Sequence, residues 1–170
     1  LFHHGHMDSF SLIKIGGICL LNINDCNLKN NKELKLIQKR MGDKLRVDIL
    51  MSQYSFASYQ GNKNEESLLK AGANTHIELI KQRLNFFSPS VFIPFASHVE
   101  WSHNENKYLN KYSIKEEDLI KNIRNVFKKE NILHNKNKLI NLRLSNKELE
   151  INYSLAKHKR HHEFTKIEDE

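Results

Sequence analysis

Short apolar runs alternate with longer amphipathic segments over residues 10–130, and this alternation constrains the fold more than any other feature. The short runs are rich in Ile, Leu, Val and Phe, as buried strands are, whereas the longer segments space their apolar residues three and four apart, as helices do. The pattern predicts strands at 10–15, 18–23, 47–51 and 91–95, and helices at 30–40, 65–87 and 113–130. We therefore expect an α/β fold.

Turn and cap residues refine this prediction. Gly16-Gly17 accepts the positive φ of a tight turn, so the first two strands are expected to form a hairpin. Gly42 is expected to close the first helix, and Ser113 with Glu116 has the spacing of a capping box for the last one. A second hairpin is predicted at 139–144 and 148–153, and residues 52–64 have the composition of an ordered loop.

Length, cysteine content and the lack of a long apolar stretch limit the class of protein. The 170 residues suffice for one domain. Two cysteines cannot build a disulfide framework or a four-cysteine zinc site, which favours a reducing, cytoplasmic setting. No apolar stretch approaches the roughly 20 residues of a membrane span, and no signal peptide is evident, so we expect no membrane partner.

The two ends of the chain are set apart from this domain. Gly5-His6-Met7 is the kind of sequence that a cleaved affinity tag leaves, so residues 1–7 are assigned to a tag remnant or to the end of a preceding segment. Residues 8–156 are predicted to form the domain. Residues 157–170 carry mixed basic and acidic side chains and are predicted to form a flexible tail.

Polar residues with possible chemistry stand beside three of the predicted strands. Asp25 directly follows the second strand, His98 and His103 follow the strand at 91–95, and His6 precedes the first strand. Each has an ordinary interpretation, since aspartate is common in turns and a lone histidine is more often structural than a metal ligand. Because ligands of layered α/β folds are held at strand ends, however, the group is a candidate site.

The same segments resemble, in order, a known protein family. They are His6-Met7-Asp8-Ser9, Asn24-Asp25-Cys26, the strand at 47–52 with the loop at 55–61, and Pro94-Phe95-Ala96 with Ser102-His103 and Lys107-Tyr108. Residues 6 to 130 are similar to the C-terminal half of the metal-binding domain of CMP-N-acetylneuraminate hydroxylase and its bacterial relatives, within the metallo-β-lactamase superfamily. Ordered agreement of several motifs is more specific than any one of them.

The resemblance implies a metal site and assigns its residues. His6, Asp25 and His103 would be the metal ligands, and Asp25, the bridging aspartate, would also be catalytic. The implied cofactor is Zn or Fe, as one metal ion or as a pair. A pair of such ions would deprotonate the attacking water. Shared coordination requires the three side-chain tips to lie within about 6 Å of one another.

The resemblance also implies a substrate pocket and a fold. His98, Trp101, Tyr54 and Ser55 are expected to line a pocket for a small-molecule substrate, with sugar-nucleotide or related metabolism as one setting. The fold would be half of an αββα sandwich, a mixed sheet flanked by helices. The chain has no Cys/His pair of the Rieske type, so no iron–sulfur cluster is expected.

The family's first-half motif, His-x-His-x-Asp-His, does not occur in the sequence. We therefore expect the chain to be inactive alone and to need the missing N-terminal half or a partner chain that carries the motif. An uncovered sheet face would also favour a homodimer. One alternative is a remnant that keeps the fold without the metals.

The other alternative is a non-enzymatic basic module. The formal net charge of +7 is suited to nucleic acid or another polyanion, bound through Lys157, Lys159, Arg160 and the lysines of the predicted helix at 113–130. The richness in lysine and asparagine is equally well explained by an AT-rich gene, and no nucleic-acid motif is recognisable.

Overall fold

The computed structural model describes residues 2–4, 8–15, 17–24, 26, 28–128, 138–145 and 148–155. The chain divides into two compact units, Leu1–His134 and Asn135–Glu170, and each is described by itself. His6 and Asp25, like Lys157, Lys159 and Arg160, lie outside the described residues. Among the described helices, none is long and apolar enough to cross a membrane.

The first unit contains a mixed five-stranded sheet whose strands lie in sequence order. They are β1 (Phe2–His4), β2 (Asp8–Ile15), β3 (Ile18–Asn24), β4 (Ile49–Gln53) and β5 (Val91–Phe95). β1, β2 and β3 pair antiparallel, and β3, β4 and β5 pair parallel. The hairpin between β2 and β3 is confirmed, and Gly17 in its turn has φ 88°. The predicted α/β class is confirmed at this level.

Two helices provide the connections between the parallel strands. α1 (Asn31–Met41) joins β3 to β4, and α2 (Glu66–Phe87) joins β4 to β5. The Asn30 side chain accepts hydrogen bonds from two backbone N–H groups of the first turn of α1, and Gly42 ends that helix as predicted. Both helices agree with the sequence pattern within one or two residues.

The third helix differs from its prediction. α3 spans Glu116–Ile123, begins after Lys115 and has no side-chain cap, so the predicted capping box is wrong. The reason is that the Ser113 hydroxyl donates instead to the carbonyl of Leu109, at 3.4 Å, in a 3₁₀ turn at Lys107–Lys111. Glu116 is the first residue of the helix, whereas a capping box needs its glutamate at the third helical position. The helix is therefore much shorter than the predicted 113–130 segment.

All three helices pack on one face of the sheet. Their buried side chains join those of the strands in a single cluster that includes Leu34 and Ile37 from α1, Ile77, Ile80 and Leu84 from α2, Leu119 and Ile123 from α3, and Phe10, Leu21, Leu50 and Phe92 from the sheet. Because residues in register share a face, Leu21, Leu50 and Phe92 form one row beneath the helices.

The opposite face of the sheet is also apolar, and we call it the open face. Its members follow from the strand register: Ile13, Ile15, Ile18, Leu20, Ile49, Met51, Val91, Ile93 and Phe95. Ile49 and Ile93 are buried, whereas Ile13, Ile15 and Phe95 are 47%, 58% and 38% exposed. The sheet of the first unit is thus apolar on both sides.

The second unit contains a hairpin of β6 (Lys138–Ser145) and β7 (Glu148–Leu155). The strands pair antiparallel, from Lys138 with Leu155 to Ser145 with Glu148. The predicted second hairpin is confirmed by this pairing.

Candidate functional site

The carboxyl ends of β3, β4 and β5 lie together at one edge of the sheet. Asn24 is in register with Ser52, and Gln53 at the end of β4 is in register with Phe95 at the end of β5. Because the three strands are parallel, the segments that follow them all begin at this edge, which we call the carboxyl edge. Asp25 and the segment that contains His98 and His103 are two of these continuations.

The backbone is strained at the carboxyl edge. Asn24, the last residue of β3, has φ 45°, and Ala96, the first residue after β5, has φ 50°. Asparagine tolerates this left-handed conformation, but for alanine it costs on the order of 1 kcal/mol. Such strain persists only where surrounding contacts fix the backbone, and it is concentrated at functional sites.

Ser97 provides the contacts that fix the chain after Ala96. This buried hydroxyl accepts hydrogen bonds from the backbone N–H groups of Tyr54 at 2.8 Å and Ser55 at 3.0 Å, and it donates to the carbonyl of Phe95 at 3.2 Å. The Ser55 hydroxyl in turn accepts from the backbone N–H of Ile114, at 3.0 Å. The loops after β4 and β5 are therefore joined to each other and to the segment before α3.

Tyr54, Ser55 and His98, three of the residues expected to line a pocket, lie close to this junction. Tyr54 is only 2% exposed and belongs to the main core, and the ring of the exposed His98 packs edge-on against it with centroids 6.4 Å apart. Burial, and secondarily Glu116 and Glu117, raise the pKa of Tyr54 to about 12. Tyr54 is therefore a neutral phenol at neutral pH, and it serves as a support for His98.

Trp101, the fourth expected pocket residue, packs elsewhere. It lies against a small cluster formed by Phe56, Leu69 and Leu109. Oδ1 of Asn110 accepts a hydrogen bond from the backbone N–H of Trp101 at 2.8 Å, and Nδ2 of Asn110 donates to the backbone carbonyl of Trp101 at 2.9 Å. These two bonds fix the backbone that leads from His98 to His103.

Of the three expected metal ligands, only His103 is described. It is exposed, and its carbonyl accepts from the N–H groups of Asn106 and Lys107 at 3.1 and 2.8 Å, in a turn that opens the 3₁₀ segment. Over the described part of the chain, no three His, Cys, Asp or Glu side chains come together as a metal site would require. The site of His6, Asp25 and His103 therefore stays a prediction. The donor chemistry fits it, since a carboxylate and an accessible imidazole suit Zn or Fe.

A cavity of about 580 Å³ opens between the carboxyl edge and α2. Arg83 of α2 lines this cavity, and the residue is only 5% exposed. Its Nη1 donates to the Ser52 hydroxyl at 2.6 Å and its Nη2 to the carbonyl of Cys26 at 2.9 Å, so it links the ends of β4 and β3. Burial lowers the pKa of Arg83 to about 10, which still leaves the side chain charged at neutral pH.

His76 lies seven residues, about two helical turns, before Arg83 on the same helix and lines the same cavity. Its ring is 6.2 Å from that of Phe56, and burial, followed by the charge of Arg83, lowers its pKa. Neither residue was predicted from the sequence as part of a site. The available indication was a charged residue inside the apolar stripe of Ile77, Ile80, Leu84 and Phe87, where an ionised side chain is rare unless it has a partner.

Comparison with known proteins found no match to this chain among protein-family profiles, curated proteins or solved structures.

Proposed function

We propose that this chain is the C-terminal half of a metal-dependent hydrolase of the metallo-β-lactamase type, with its catalytic site at the carboxyl edge. The observation that carries the proposal is the open face. A sheet with helices on one side and an apolar surface on the other, exposed at Ile13, Ile15 and Phe95, resembles what one half of an αββα sandwich presents to its second sheet.

The geometry of the carboxyl edge gives further support. Asp25 follows the strained Asn24, and His103 lies beyond the strained Ala96, so two expected ligands continue from parallel strands of one sheet that are separated only by β4. When bound, a cation supplies Lewis acidity and a lowered pKa of water for attack on a phosphoester or amide bond. His6, Asp25 and His103 would hold it, and the hydrogen bonds of Ser97 would fix the loop that carries His103.

The test reconstitutes the chain with a first-half polypeptide that carries His-x-His-x-Asp-His, loads the complex with Zn²⁺ or Fe²⁺, and measures bound metal and phosphodiester turnover together. Asp25→Ala should lose metal and turnover, because it removes a ligand from the centre. Asp43→Ala, in the exposed turn after α1, is the matched control and should leave both unchanged. Unchanged metal content and turnover in Asp25→Ala would refute the assignment.

The open face makes a separate demand on the same complex. Ile15 is 58% exposed, and replacement by lysine places a charge where the second sheet would pack. Ile15→Lys should weaken association with the first half, whereas Lys14→Ala, its neighbour on the opposite face, should not. Equal association of the two variants would show that this face is not the docking surface.

A further inference from the structure

The cavity beside α2 has a positive lining. Arg83 and Lys29 both line it, and His76 can add a further charge when protonated. Among the described residues that surround the cavity, none is an aspartate or a glutamate. An open space with two fixed cations and no described carboxylate attracts anions.

Arg83 has hydrogen-bonding capacity left over. A guanidinium has five N–H donors, and the two contacts to Ser52 and Cys26 use only part of them. Its Nε–H is buried and has no hydrogen-bond partner within the described parts of the chain. A buried charge is costly to leave without a counter-charge, so Arg83 is suited to an anionic ligand.

Neutral groups around the cavity complete the set that such a ligand needs. The Ser58 hydroxyl accepts from the side-chain amide of Gln60 at 3.1 Å, which leaves its own proton to donate. Phe56 and Leu79 add apolar surface to the lining. The cavity therefore offers charged donors to one end of a small molecule and apolar contact to the rest, which is the usual construction of a ligand pocket.

We propose that this cavity binds a small molecule through an oxyanion group, a carboxylate or a phosphate, held by Arg83 and Lys29. The proposal goes beyond the hydrolase function and does not depend on a metal or on the first half of the sandwich. Because Gln53 and Cys26 line the cavity, a bound molecule would lie beside the carboxyl edge.

The test is calorimetric titration of the metal-free full chain with inorganic phosphate and, separately, with malonate, in buffer treated with chelating resin. At least one of the two anions should bind with a saturable, single-site isotherm. Binding of phosphate alone would assign the site to phosphate esters, and binding of malonate alone would assign it to carboxylates; either result supports the proposal. A chain that binds neither anion saturably would overturn it.

Variants at the mouth of the cavity locate the binding without disturbing Arg83. Ala57 is exposed and lines the cavity, so a substitution there leaves the core intact. Ala57→Glu should weaken anion binding about 10-fold or more, because a like charge at close range repels the ligand. Ala57→Gln, which has the same shape without the charge, should bind within about twofold of wild type. Equal affinities of the two variants would overturn the proposal.

The role of Arg83 in anion binding is tested by substitution, with the same substitution at a second arginine as the control. Loss of a charge-assisted contact predicts at least about 10-fold weaker binding in Arg83→Met, whereas Arg124→Met, at an exposed arginine after α3, should keep wild-type affinity. Circular dichroism establishes whether Arg83→Met is folded, and if it is not, the Ala57 pair decides the question. Retained binding in a folded Arg83→Met variant would show that Arg83 only links β3 to β4. Failure of anion binding would leave the metal experiments on Asp25 unaffected.

Discussion

Replacement of Ser97 by alanine should destabilise the protein far more than the size of the change suggests. The side chain differs by one oxygen, but that oxygen accepts from two backbone N–H groups, those of Tyr54 and Ser55. All three residues are buried, so water does not replace the lost acceptor freely. The substitution therefore leaves two buried donors without a partner.

The magnitude follows from these two donors. An unsatisfied buried donor costs about 1–3 kcal/mol, so Ser97→Ala should lower the free energy of unfolding by about 3 kcal/mol. The third bond, from Ser97 to the carbonyl of Phe95, is longer, at 3.2 Å, and adds less. Since domains of this size are stable by roughly 5–15 kcal/mol, such a loss would be readily measured.

Urea unfolding followed by the fluorescence of Trp101, the single tryptophan, measures this change. Amide hydrogen exchange at Tyr54 and Ser55 should become faster in the same variant. Ser58→Ala is the control: Ser58 is exposed in the same loop, and its loss should change stability by less than about 0.5 kcal/mol. A Ser97→Ala variant as stable as Ser58→Ala, with unchanged exchange at Tyr54 and Ser55, would refute the reasoning.

Two further predictions concern the helices. Asn30→Ala removes the side-chain oxygen that accepts from the backbone N–H groups of Lys32 and Glu33 at 3.0 and 3.1 Å. It should therefore lower the free energy of unfolding, measured by urea titration, by about 1 kcal/mol. Asn30→Asp should retain the cap, and equal losses of stability in both variants would contradict this role. Burial and the neighbouring Arg83 lower the pKa of His76 in the folded chain, so its contribution to stability is complete above the unfolded value of about 6.5 and is lost as the pH falls below it. The urea midpoint of wild type should therefore fall more between pH 7.5 and 5 than that of His76→Gln, and parallel pH profiles would argue against this contribution.

The sequence predicted those elements that depend on local patterns. The strand at 91–95 has the predicted bounds, and α1 begins after its capping asparagine, because hydrophobic spacing and cap chemistry act over a few residues. The start of α3 was predicted wrongly. The Ser113 hydroxyl could bond either the helix N-terminus or the carbonyl of Leu109, and the sequence pattern alone does not distinguish the two.

The cavity could not be predicted in the same way. Arg83 is clear in the sequence as a charged residue on the apolar side of α2, but its partners lie 31 and 57 positions away, at Ser52 and Cys26. Only the packing of α2 against the ends of β3 and β4 brings these groups together. The expected metal ligands have the same difficulty, because their convergence depends on residues from distant segments.

The parallel pairing of β3, β4 and β5 has a consequence for the order in which the chain assembles. Ile15 and Ile18 close the β2–β3 hairpin across two intervening residues, whereas Leu20 pairs with Ile49 and Leu50 pairs with Phe92, 29 and 42 positions further along the chain. Contacts between nearby residues form fast, and those that close long loops form late. During synthesis on the ribosome, the hairpin can therefore form early. The carboxyl edge cannot form until Phe95 has been translated and β5 has paired with β4. Until then the exposed flank of β4 is open to pairing with another nascent chain, which makes this interval the one in which a chaperone would matter most.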